Sequence, residues 1–430
     1  MNGSPDRRGY PRAPLWNLST AVRATVAHIA RIRTWCLRRD ERDPPVRASR
    51  IDGTGILVTA LLMVSERTRF ISALLGVWLV AAGIVEVRAP ADGGPTAALV
   101  PLLPNREIAF PAEVDCSTPM VWDLVDGSWT LFAIASWGGL PVLVHGPQLD
   151  RLQRDGPITM VRHPGNGIWM EAIIPDEGGT WYGFYHHEVP ADMCGRPDRT
   201  ILNIGLARSR DRGVTWENLG MILDGPRDTQ ACGSLNRFQL GGVGDPSVIL
   251  DADHRYLYVY FSQYGKDPSQ QGVAIARMPW GNRDEPAGQL AVLQDGIWLP
   301  ARQVDRGSGP EWEYPSGTPL VPAGNPWHNG DFAVDAFWGA SIHWNTYLER
   351  YVMLLNRAMN EDFDNEGIYV SYSPALDDPH AWSAPTKLIN RGVWYPQVAG
   401  LEEGGTDRLA GQRARFFLAG RSSFYIQFSR

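Results

Sequence analysis

A unit of two apolar strands recurs five times along this chain and constrains the fold more than any other feature. Each copy opens with small or polar residues, continues as an apolar strand, turns, and returns as an aromatic-rich strand. Asp-Gly, Gly-Gly or an Asp/His pair marks the turn, as expected of β-hairpins. The copies occupy residues 117–136, 169–188, 245–264, 339–358 and 395–421, the last one lengthened by an acidic, Gly-rich segment at 402–412.

Three of the copies are followed by a second strand pair, which begins at Ile204, Val273 and Ile368. About four strands per unit in five units predict an all-β fold, a five-bladed β-propeller over residues 105–430. Blades that pack face to face need apolar residues on both faces, which suits the 17 Trp, and tight turns suit the 45 Gly and 33 Pro. A two-sheet sandwich with coincidental similarity between the copies is the alternative.

The N-terminal region has a different charge from the rest of the chain. The first fifty residues contain eleven Arg, no Lys and four acidic residues, so they carry +7, and the net charge of −7 leaves −14 for the remainder. We therefore expect residues 1–62 to be an Arg-rich disordered segment, with Met63 as an alternative start of translation. The acidic body argues against a nucleic-acid partner, whose phosphates it would repel.

Residues 70–85 form an uninterrupted apolar run preceded by Arg67 and Arg69, and an Ala-Pro-Ala cleavage pattern follows at 89–91. The run predicts one hydrophobic helix, and residues 63–91 are interpreted as a signal peptide or a membrane anchor. A buried core helix is the alternative. Residues 92–104 are interpreted as a linker. Both favoured interpretations place the propeller outside the cytoplasm, secreted or membrane-anchored, with its oligomeric state open.

The cysteines permit one disulfide in an oxidising compartment, and Cys194 with Cys232 is a pairing that encloses one long insertion. The spacings typical of zinc sites are absent from the sequence. No cofactor is therefore required, although a Ca²⁺ ion at the propeller axis is compatible with the sequence. A mononuclear metal site formed by His186, Glu188 and His343 is a minor alternative.

Two motifs carry a resemblance to known families. The segment 209–216, SRDRGVTW, fits the S-x-D-x-G-x-T-W pattern and resembles the Asp-box of sialidases, a structural hairpin motif. The segment DPSV at 245–248, followed by YLY at 256–258, resembles the five-bladed furanosidase-type glycoside hydrolases, namely the arabinanase, xylosidase and invertase-like enzymes. That resemblance covers roughly residues 105–430, and five copies favour it over the six blades of true sialidases.

The resemblance implies two carboxyl groups that face a central funnel from the starts of the innermost strands. The matching residues are Asp115, Glu171 and Asp245. It makes Asp115 the general base or nucleophile, and Asp245 a residue that stabilises the transition state or tunes a neighbouring pKa. Glu171 or Glu188 would then be the acid. The order along this chain is Asp, Glu, Asp, whereas the family has Asp, Asp, Glu.

Glu171 is notable without any resemblance, because a carboxyl group within an apolar strand is costly unless it is partnered or faces water. Alternation in the strand that follows points His186 and Glu188 to one face and His187 to the other. Indole faces stack on sugars, and Asp, His, Arg and Tyr side chains bind hydroxyl groups. The residues predicted to contact substrate are His186, His187, Asp335, Trp338, His343, Arg357 and Tyr395.

These features predict an extracytoplasmic glycoside hydrolase that cleaves a polysaccharide or glycoconjugate, with furanosides as a candidate class. A non-catalytic carbohydrate-binding propeller is the alternative from another class, and it gains from the altered carboxylate order and the many Trp residues. A propeller with lyase or other chemistry in the same funnel is a third hypothesis.

Overall fold

The structure, a computed structural model, describes residues 93–430 except 306, 308 and 329–332. Strands dominate this part of the chain, and its helical residues form seven one-turn 3-10 helices. These are Pro104–Arg106, Leu149–Arg151, Asp192–Cys194, Arg227–Thr229, Pro268–Gln270, Trp280–Asn282 and Pro379–Ala381. No helix within the described ranges is long and apolar enough to cross a membrane. The predicted segments 1–62 and 63–91, with the hydrophobic helix, lie outside the described residues.

The described chain opens with two short strands, β1 (Thr96–Pro101) and β2 (Ile108–Ala109). Five mainly antiparallel groups of strands follow in chain order and are called sheets 1 to 5. Sheets 2 and 3 are joined by a short parallel pairing of Thr200 with Gln239 and of Leu202 with Gly242. Sheet 1 contains β3 (Met120–Val125), β4 (Ser128–Trp137), β5 (Leu140–Gly146) and β6 (Gln153–Pro157). Sheet 2 contains β7 (Thr159–Val161), β8 (Ile168–Pro175), β9 (Trp181–Ala191), β10 (Arg196–Ser209) and β11 (Thr215–Leu223), with β7 parallel to β11.

Sheets 3 to 5 repeat the meander. Sheet 3 contains β12 (Gln239–Leu250), β13 (Tyr256–Tyr264), β14 (Gln271–Pro279), β15 (Ala291–Gln294) and β16 (Ile297–Pro300), and a separate hairpin, β17 (Arg302–Asp305) with β18 (Pro310–Glu313), follows it. Sheet 4 contains β19 (Phe337–Asn345), β20 (Arg350–Ala358), β21 (Asn365–Ser373) and β22 (Thr386–Asn390), with β24 (Leu409–Ala410) parallel to β19. Sheet 5 contains β23 (Pro396–Gly400), β25 (Arg413–Leu418) and β26 (Arg421–Ser429).

Several hairpins are closed by the two-residue turns that the sequence marks. Asp126 and Gly127 join β3 to β4 with φ of 49° and 78°. Gly138 and Gly139 join β4 to β5 with φ of 57° and 76°. Left-handed φ at both positions gives the turn a twist that matches the strands, which is why Asp-Gly and Gly-Gly occur there.

The two ends of the described chain meet in sheet 5. Strand β1 pairs antiparallel with β26 along its whole length, from Thr96 opposite Ser429 to Pro101 opposite Phe424. The prediction that residues 92–104 form a linker is therefore wrong for Thr96–Pro101, which is the outer strand of sheet 5. Its backbone groups are satisfied by a strand more than three hundred residues away, and a local pattern does not indicate such a partner.

The sheets pack face to face around a closed ring of cores. Sheets 1 and 2, 2 and 3, 3 and 4, and 4 and 5 each share one apolar cluster, and a fifth cluster joins sheet 5 to sheet 1. Buried members from the two sheets are, in that order, Phe132 and Trp181, Phe184 and Val248, Tyr260 and Ile342, Leu354 and Phe428, and Phe417 and Leu131. This ring is propeller-like, and it differs from the two-sheet sandwich.

Polar side chains support the same closure at the axis. The Thr118 amide donates to Gln397 Oε1 at 2.6 Å, and Gln397 Nε2 donates to the Thr118 carbonyl at 2.9 Å. These bonds link the entry of β3 to β23, the innermost strands of the first and last sheets. One small cavity is lined from the innermost strand, or its entry, of each of the five sheets, by Ser117, Glu171, Ser247, Ser341 and Gln397, and this defines the axis.

The hairpin between β10 and β11 is held by its own side chains. Ser209 Oγ accepts the Gly213 amide at 2.9 Å, and Asp211 Oδ1 accepts the Thr215 amide at 2.8 Å. Gly213 has φ of 85°, and Trp216 Nε1 donates to its carbonyl at 2.8 Å. The indole of Trp216 is fully buried in the core between sheets 1 and 2. The side chains of residues 209–216 thus hold the hairpin turn and attach it to the core between sheets 1 and 2.

Cys194 and Cys232 form a disulfide across 38 residues of sequence, as the sequence analysis suggests. Chain entropy gives a cross-link over a loop of this length about 2–4 kcal/mol of stability. We expect Cys194→Ser/Cys232→Ser to lower the free energy of unfolding by that amount in chemical denaturation. Reductant should destabilise the wild-type protein equally and leave the double variant unaffected. Equal sensitivity of both proteins to reductant would contradict the assignment.

Candidate active site

Three successive sheets bring acidic side chains to the axis, from their innermost strands or from the segment that precedes one of them. Asp115 precedes β3, Glu171 lies in β8 and Asp245 lies in β12. The neighbouring strand of sheet 2, β9, adds His186 and Glu188 from its middle. Four carboxyl groups and one imidazole therefore meet at the same end of the ring, which we call the carboxyl cluster.

The cluster has two levels. Ser117 and Ser247 line a small cavity on the axis, and each lies two residues after an acidic residue, Asp115 or Asp245. Glu171 lines that same cavity directly, so it lies one step deeper than the two aspartates. A register shift between Met170 and Ala172 marks a β-bulge at Glu171. Bulges re-aim side chains, and this one directs the Glu171 carboxyl group to the small cavity on the axis.

His186 is the centre of the cluster. Its Nδ1 lies 3.4 Å from Glu171 Oε1 and 3.9 Å from Asp245 Oδ1, and its Nε2 lies 3.9 Å from Glu188 Oε1. The imidazole is buried, and it packs at 5.4 Å against the ring of Trp169. One ring thus bridges three of the four carboxyl groups.

Asp115 is held by two donors. The Gly138 amide donates to its Oδ2 at 3.0 Å, and Trp169 Nε1 donates to its Oδ1 at 2.7 Å. Burial raises the pKa of Asp115 more than these bonds lower it, and the result is about 6. At neutral pH the group is therefore an ionised carboxylate with appreciable basicity.

Glu171 and His186 both have raised pKa values. Burial raises the pKa of Glu171 to about 8. Burial alone would lower the pKa of His186, but the surrounding carboxyl groups, Glu171 first, outweigh it and raise that pKa to about 9. A neutral carboxyl group beside an imidazolium limits the net negative charge that the fold must bury.

Asp245 and Tyr395 complete the cluster with unusual backbone conformations. Asp245 has φ of 46° and Tyr395 has φ of 59°, and each is followed by proline. Such conformations cost energy in residues other than glycine and concentrate at functional sites. Asp245 accepts a hydrogen bond from the hydroxyl of Tyr264. Burial, together with the nearby carboxyl groups, raises the pKa of the Tyr395 phenol well above its usual value.

The same atoms have spacing that a metal ion could use. One ligand atom from each of Glu171, His186 and Asp245 lies within 4.8 Å of the others. His343 is not part of this group, contrary to the metal alternative from the sequence. A protonated imidazole has no lone pair for a metal, however, and the raised pKa of His186 favours that form.

Two predicted substrate contacts lie elsewhere. His187 points to the opposite face of β9, and its Nε2 bonds to the Gly165 carbonyl at 2.9 Å. His343 is 0% exposed and packs at 5.7 Å against Phe428, and burial lowers its pKa to about 3. A side chain that is buried in the core between sheets 4 and 5 does not meet a soluble substrate. Both histidines therefore pack the fold, which corrects the prediction that they bind sugar.

The remaining predicted contacts, Trp338, Tyr395, Asp335 and Arg357, lie on sheets 4 and 5 or directly before their strands. Trp338 is buried against Trp394 at 5.6 Å and Tyr395 at 5.8 Å, and so forms an aromatic wall. Asp335 accepts the Gly324 and Asn325 amides at 2.9 and 3.0 Å and orders that loop. Arg357 lies 3.9 Å from Asp335 and 3.8 Å from Glu366, which makes it part of a surface charge network.

The sequence analysis did not assign roles to Trp169 and Tyr264, which hold Asp115 and Asp245. Strand alternation carries a signal for Trp169, because residues two apart in β8 share a face and Trp169 is two before Glu171. Tyr264 ends a strand that also contains Tyr256, Tyr258 and Tyr260, so its residue type does not single it out. Its partner, Asp245, lies on the neighbouring strand β12, so only the pairing register of β12 and β13 identifies the contact.

The fold and the site together define a class, an all-β ring of sheets with an acidic, histidine-centred cavity at one end. No family model matches this chain, and no curated protein matches it. Among solved structures, it is similar to an endo-arabinase from Bacteroides thetaiotaomicron at 10% identity and a TM-score of 0.41, over 75% of this chain and 96% of that one. It is also similar to an endo-1,5-α-L-arabinanase from Thermotoga petrophila, at 14% identity and a TM-score of 0.41, over 74% of this chain and 72% of that one. A third similar structure is a GH43_1 enzyme from Xanthomonas citri, at 13% identity and a TM-score of 0.40, over 78% of this chain and 91% of that one. Such low values leave the function to be argued from the site itself.

Proposed function

We propose that the five sheets are the blades of a closed five-bladed β-propeller and that the protein is a glycoside hydrolase acting in its central funnel. The observation that carries this proposal is the carboxyl cluster, in which Asp115 and Glu171 have pKa values near 6 and near 8. Glycoside hydrolysis needs one ionised and one protonated carboxyl group on either side of the bond. Groups whose environments push their pKa values apart are the usual source of that pair.

In this mechanism Glu171 is the acid and Asp115 the base or nucleophile. The Glu171 carboxyl gives its proton to the glycosidic oxygen as the bond from that oxygen to the anomeric carbon breaks. Asp115 either takes a proton from the attacking water or attacks the anomeric carbon itself. Asp245 and His186 hold the charge around Glu171, and Trp169 orients Asp115 and offers a ring face to the sugar.

The charge of the site limits the substrate. Asp115, Glu188 and Asp245 add further carboxyl groups around Glu171 and His186, so a sugar that carries a carboxylate would be repelled. We therefore propose a neutral polysaccharide or glycoconjugate, with furanosides as the first class to test. The Cys194–Cys232 disulfide supports a location outside the cytoplasm, because disulfides persist in oxidising compartments.

The experiment is product release from a panel of neutral and acidic polysaccharides with furanosidic and pyranosidic linkages, measured as new reducing ends with the full chain. Release from at least one neutral glycan is expected. Retention of a glycan in a pull-down without any release would instead assign a carbohydrate-binding propeller. Release from uronate polymers alone would contradict the proposed charge selection.

The pH dependence of kcat/KM follows from the two pKa values. Asp115 must lose its proton, so the rate should rise as pH increases through about 6. Glu171 must keep its proton, so the rate should fall as pH increases through about 8. A bell-shaped profile with its maximum near neutral pH is the expected result. A profile that is flat from roughly pH 5 to pH 9 would contradict these assignments.

A further inference from the structure

A row of three aromatic rings leads from the carboxyl cluster to the protein surface. The ring centroid of Tyr395 lies 6.3 Å from that of Trp394, and the centroid of Trp394 lies 6.3 Å from that of Phe238. Burial, and then the charge of Asp245, raises the pKa of the Tyr395 phenol, so the inner end of the row is at the cluster. Tyr395 and Trp394 are partly exposed, whereas Phe238 is 52% exposed. We call these three side chains the aromatic row.

The rings of the row meet edge to face. The angle between the ring planes is 84° for Trp394 with Tyr395 and 87° for Phe238 with Trp394. In such a pair the edge of one ring covers only one face of the other, so the partly exposed rings keep apolar faces open to solvent. Flat apolar faces of this kind stack on the C–H groups of sugar rings. The row therefore has the surface chemistry of a carbohydrate-binding platform.

The segment that carries Phe238 is held at several points before β12 begins. Cys232 is bonded to Cys194, and the Thr200 amide donates to the Phe238 carbonyl at 3.1 Å. Asn236 Oδ1 accepts the Phe238 amide at 2.7 Å. An ordered backbone therefore presents this ring to solvent, and a ring that is already in place loses little conformational freedom when it binds.

One loop of sheet 4, residues 359–364, holds both outer rings of the row. The Phe363 carbonyl accepts Trp394 Nε1 at 2.9 Å. Asp362 Oδ1 accepts the Arg237 amide at 2.9 Å, immediately before the outermost ring. The two rings come from the entries of sheets 5 and 3, so a third sheet fixes their relative position.

Exposed aliphatic side chains flank the outer part of the row. Val393 precedes Trp394 and Leu235 lies three residues before Phe238, and both aliphatic side chains are exposed. Single exposed apolar residues are ordinary on a protein surface, whereas a group of them next to a cavity marks a binding surface. Because the row continues into the carboxyl cluster, the ligand of this surface is the molecule that the cluster acts on.

We propose that Trp394 and Phe238 bind sugar residues beyond the cleaved linkage, so that the substrate is a glycan chain that runs outward from the carboxyl cluster along the aromatic row. The inference rests on the proposed function for its substrate class, and it adds the direction and the minimum length of the chain. Two ring-to-ring steps outward from Tyr395 are more than one sugar can contact, which favours a chain over a single sugar. The acidic groups at the inner end of the row favour a neutral chain.

The test is native electrophoresis of the full chain through gels that contain arabinan, galactan, xylan or arabinogalactan, each over a range of concentrations. At least one of these neutral polymers should retard the protein. Phe238→Ala should weaken that binding about tenfold, as expected for truncating an aromatic contact. Phe238→Leu should weaken it similarly, because leucine is apolar but has no flat face. Trp129→Ala removes an exposed tryptophan near the start of β4, whereas Asp115 bonds near the end of that strand, so this control should bind as the wild type does.

Hydrolysis gives a second measurement on the same variants. In Phe238→Ala, the ratio of kcat/KM on the polymer to kcat/KM on the shortest oligosaccharide that is cleaved should fall about tenfold, mainly through KM on the polymer. A general structural defect would lower both values together and leave the ratio unchanged.

Three results would overturn the proposal: no retardation by any of the polymers, equal retardation of Phe238→Ala and Trp129→Ala, or full binding by Phe238→Leu. The last of these would assign the surface to apolar contact without sugar stacking. Retardation that depends on Phe238 without hydrolysis of any polymer would keep the aromatic row and overturn the hydrolase. Hydrolysis with an unchanged ratio in Phe238→Ala would keep the hydrolase and overturn the row. Failure of this inference is therefore distinguishable from failure of the proposed function.

Discussion

Glu171→Gln should remove most of the hydrolytic activity on natural glycans, lowering kcat roughly 10²- to 10⁴-fold. The amide keeps the shape of the side chain, but it has no acidic proton for the leaving oxygen. Glu171 is buried at the floor of the funnel beside His186, so little solvent can replace it as a donor. The measurement is steady-state release of reducing ends, with thermal unfolding to show that the variant is folded.

The leaving group distinguishes an acid from a residue with another role. Aryl glycosides with a strongly acidic phenol need no proton to depart, so Glu171→Gln should lose far less activity on them. Asp115→Asn should lose activity on both kinds of substrate, because the base or nucleophile is needed in each case. Glu177→Gln, at the exposed turn after β8, is the matched control and should behave as wild type. Equal losses of Glu171→Gln on both substrates would remove Glu171 from the role of acid, and Glu188→Gln would then be tested in its place.

Trp216→Ala should lower the free energy of unfolding by about 3–5 kcal/mol, the range for removing a large aromatic side chain from a core. The indole is 0% exposed between sheets 1 and 2 and donates to the Gly213 carbonyl. Its removal leaves a cavity in an inter-sheet core and an acceptor without its donor. Chemical denaturation of the purified variant measures the change.

Trp129→Ala is the matched control, because Trp129 lies in sheet 1 but is 62% exposed. A surface tryptophan of this kind should change stability by less than about 1 kcal/mol. A small loss in Trp216→Ala, similar to that of Trp129→Ala, would contradict the view that the hairpin motif anchors one sheet to the next.

The repeat was predictable because its signals are local. Apolar alternation and turn pairs such as Asp126-Gly127 lie within each copy, and the structure has a strand pair at every one of the five. The closure by β1 was not predictable in the same way. Thr96–Pro101 is a short segment whose partner, β26, lies at the other end of the chain, and no local pattern names that partner.

The candidate site was likewise predictable only where its signals are local. A carboxyl group within an apolar strand singled out Glu171, and alternation separated His186 from His187. Alternation does not say which face of a strand meets the axis, and for that reason His343 was misplaced. Its polar ring stands in a fully buried position with neither nitrogen bonded, which only the packing of sheets 4 and 5 shows.

The carboxyl cluster as catalytic centre is tested most directly by the structure of Glu171→Gln with an oligosaccharide taken from a glycan that the wild-type protein cleaves. The account predicts that the linkage oxygen lies within hydrogen-bond distance of residue 171 and that the anomeric carbon faces Asp115. A sugar bound with its cleaved linkage away from both residues would contradict the account and place the chemistry elsewhere on the ring.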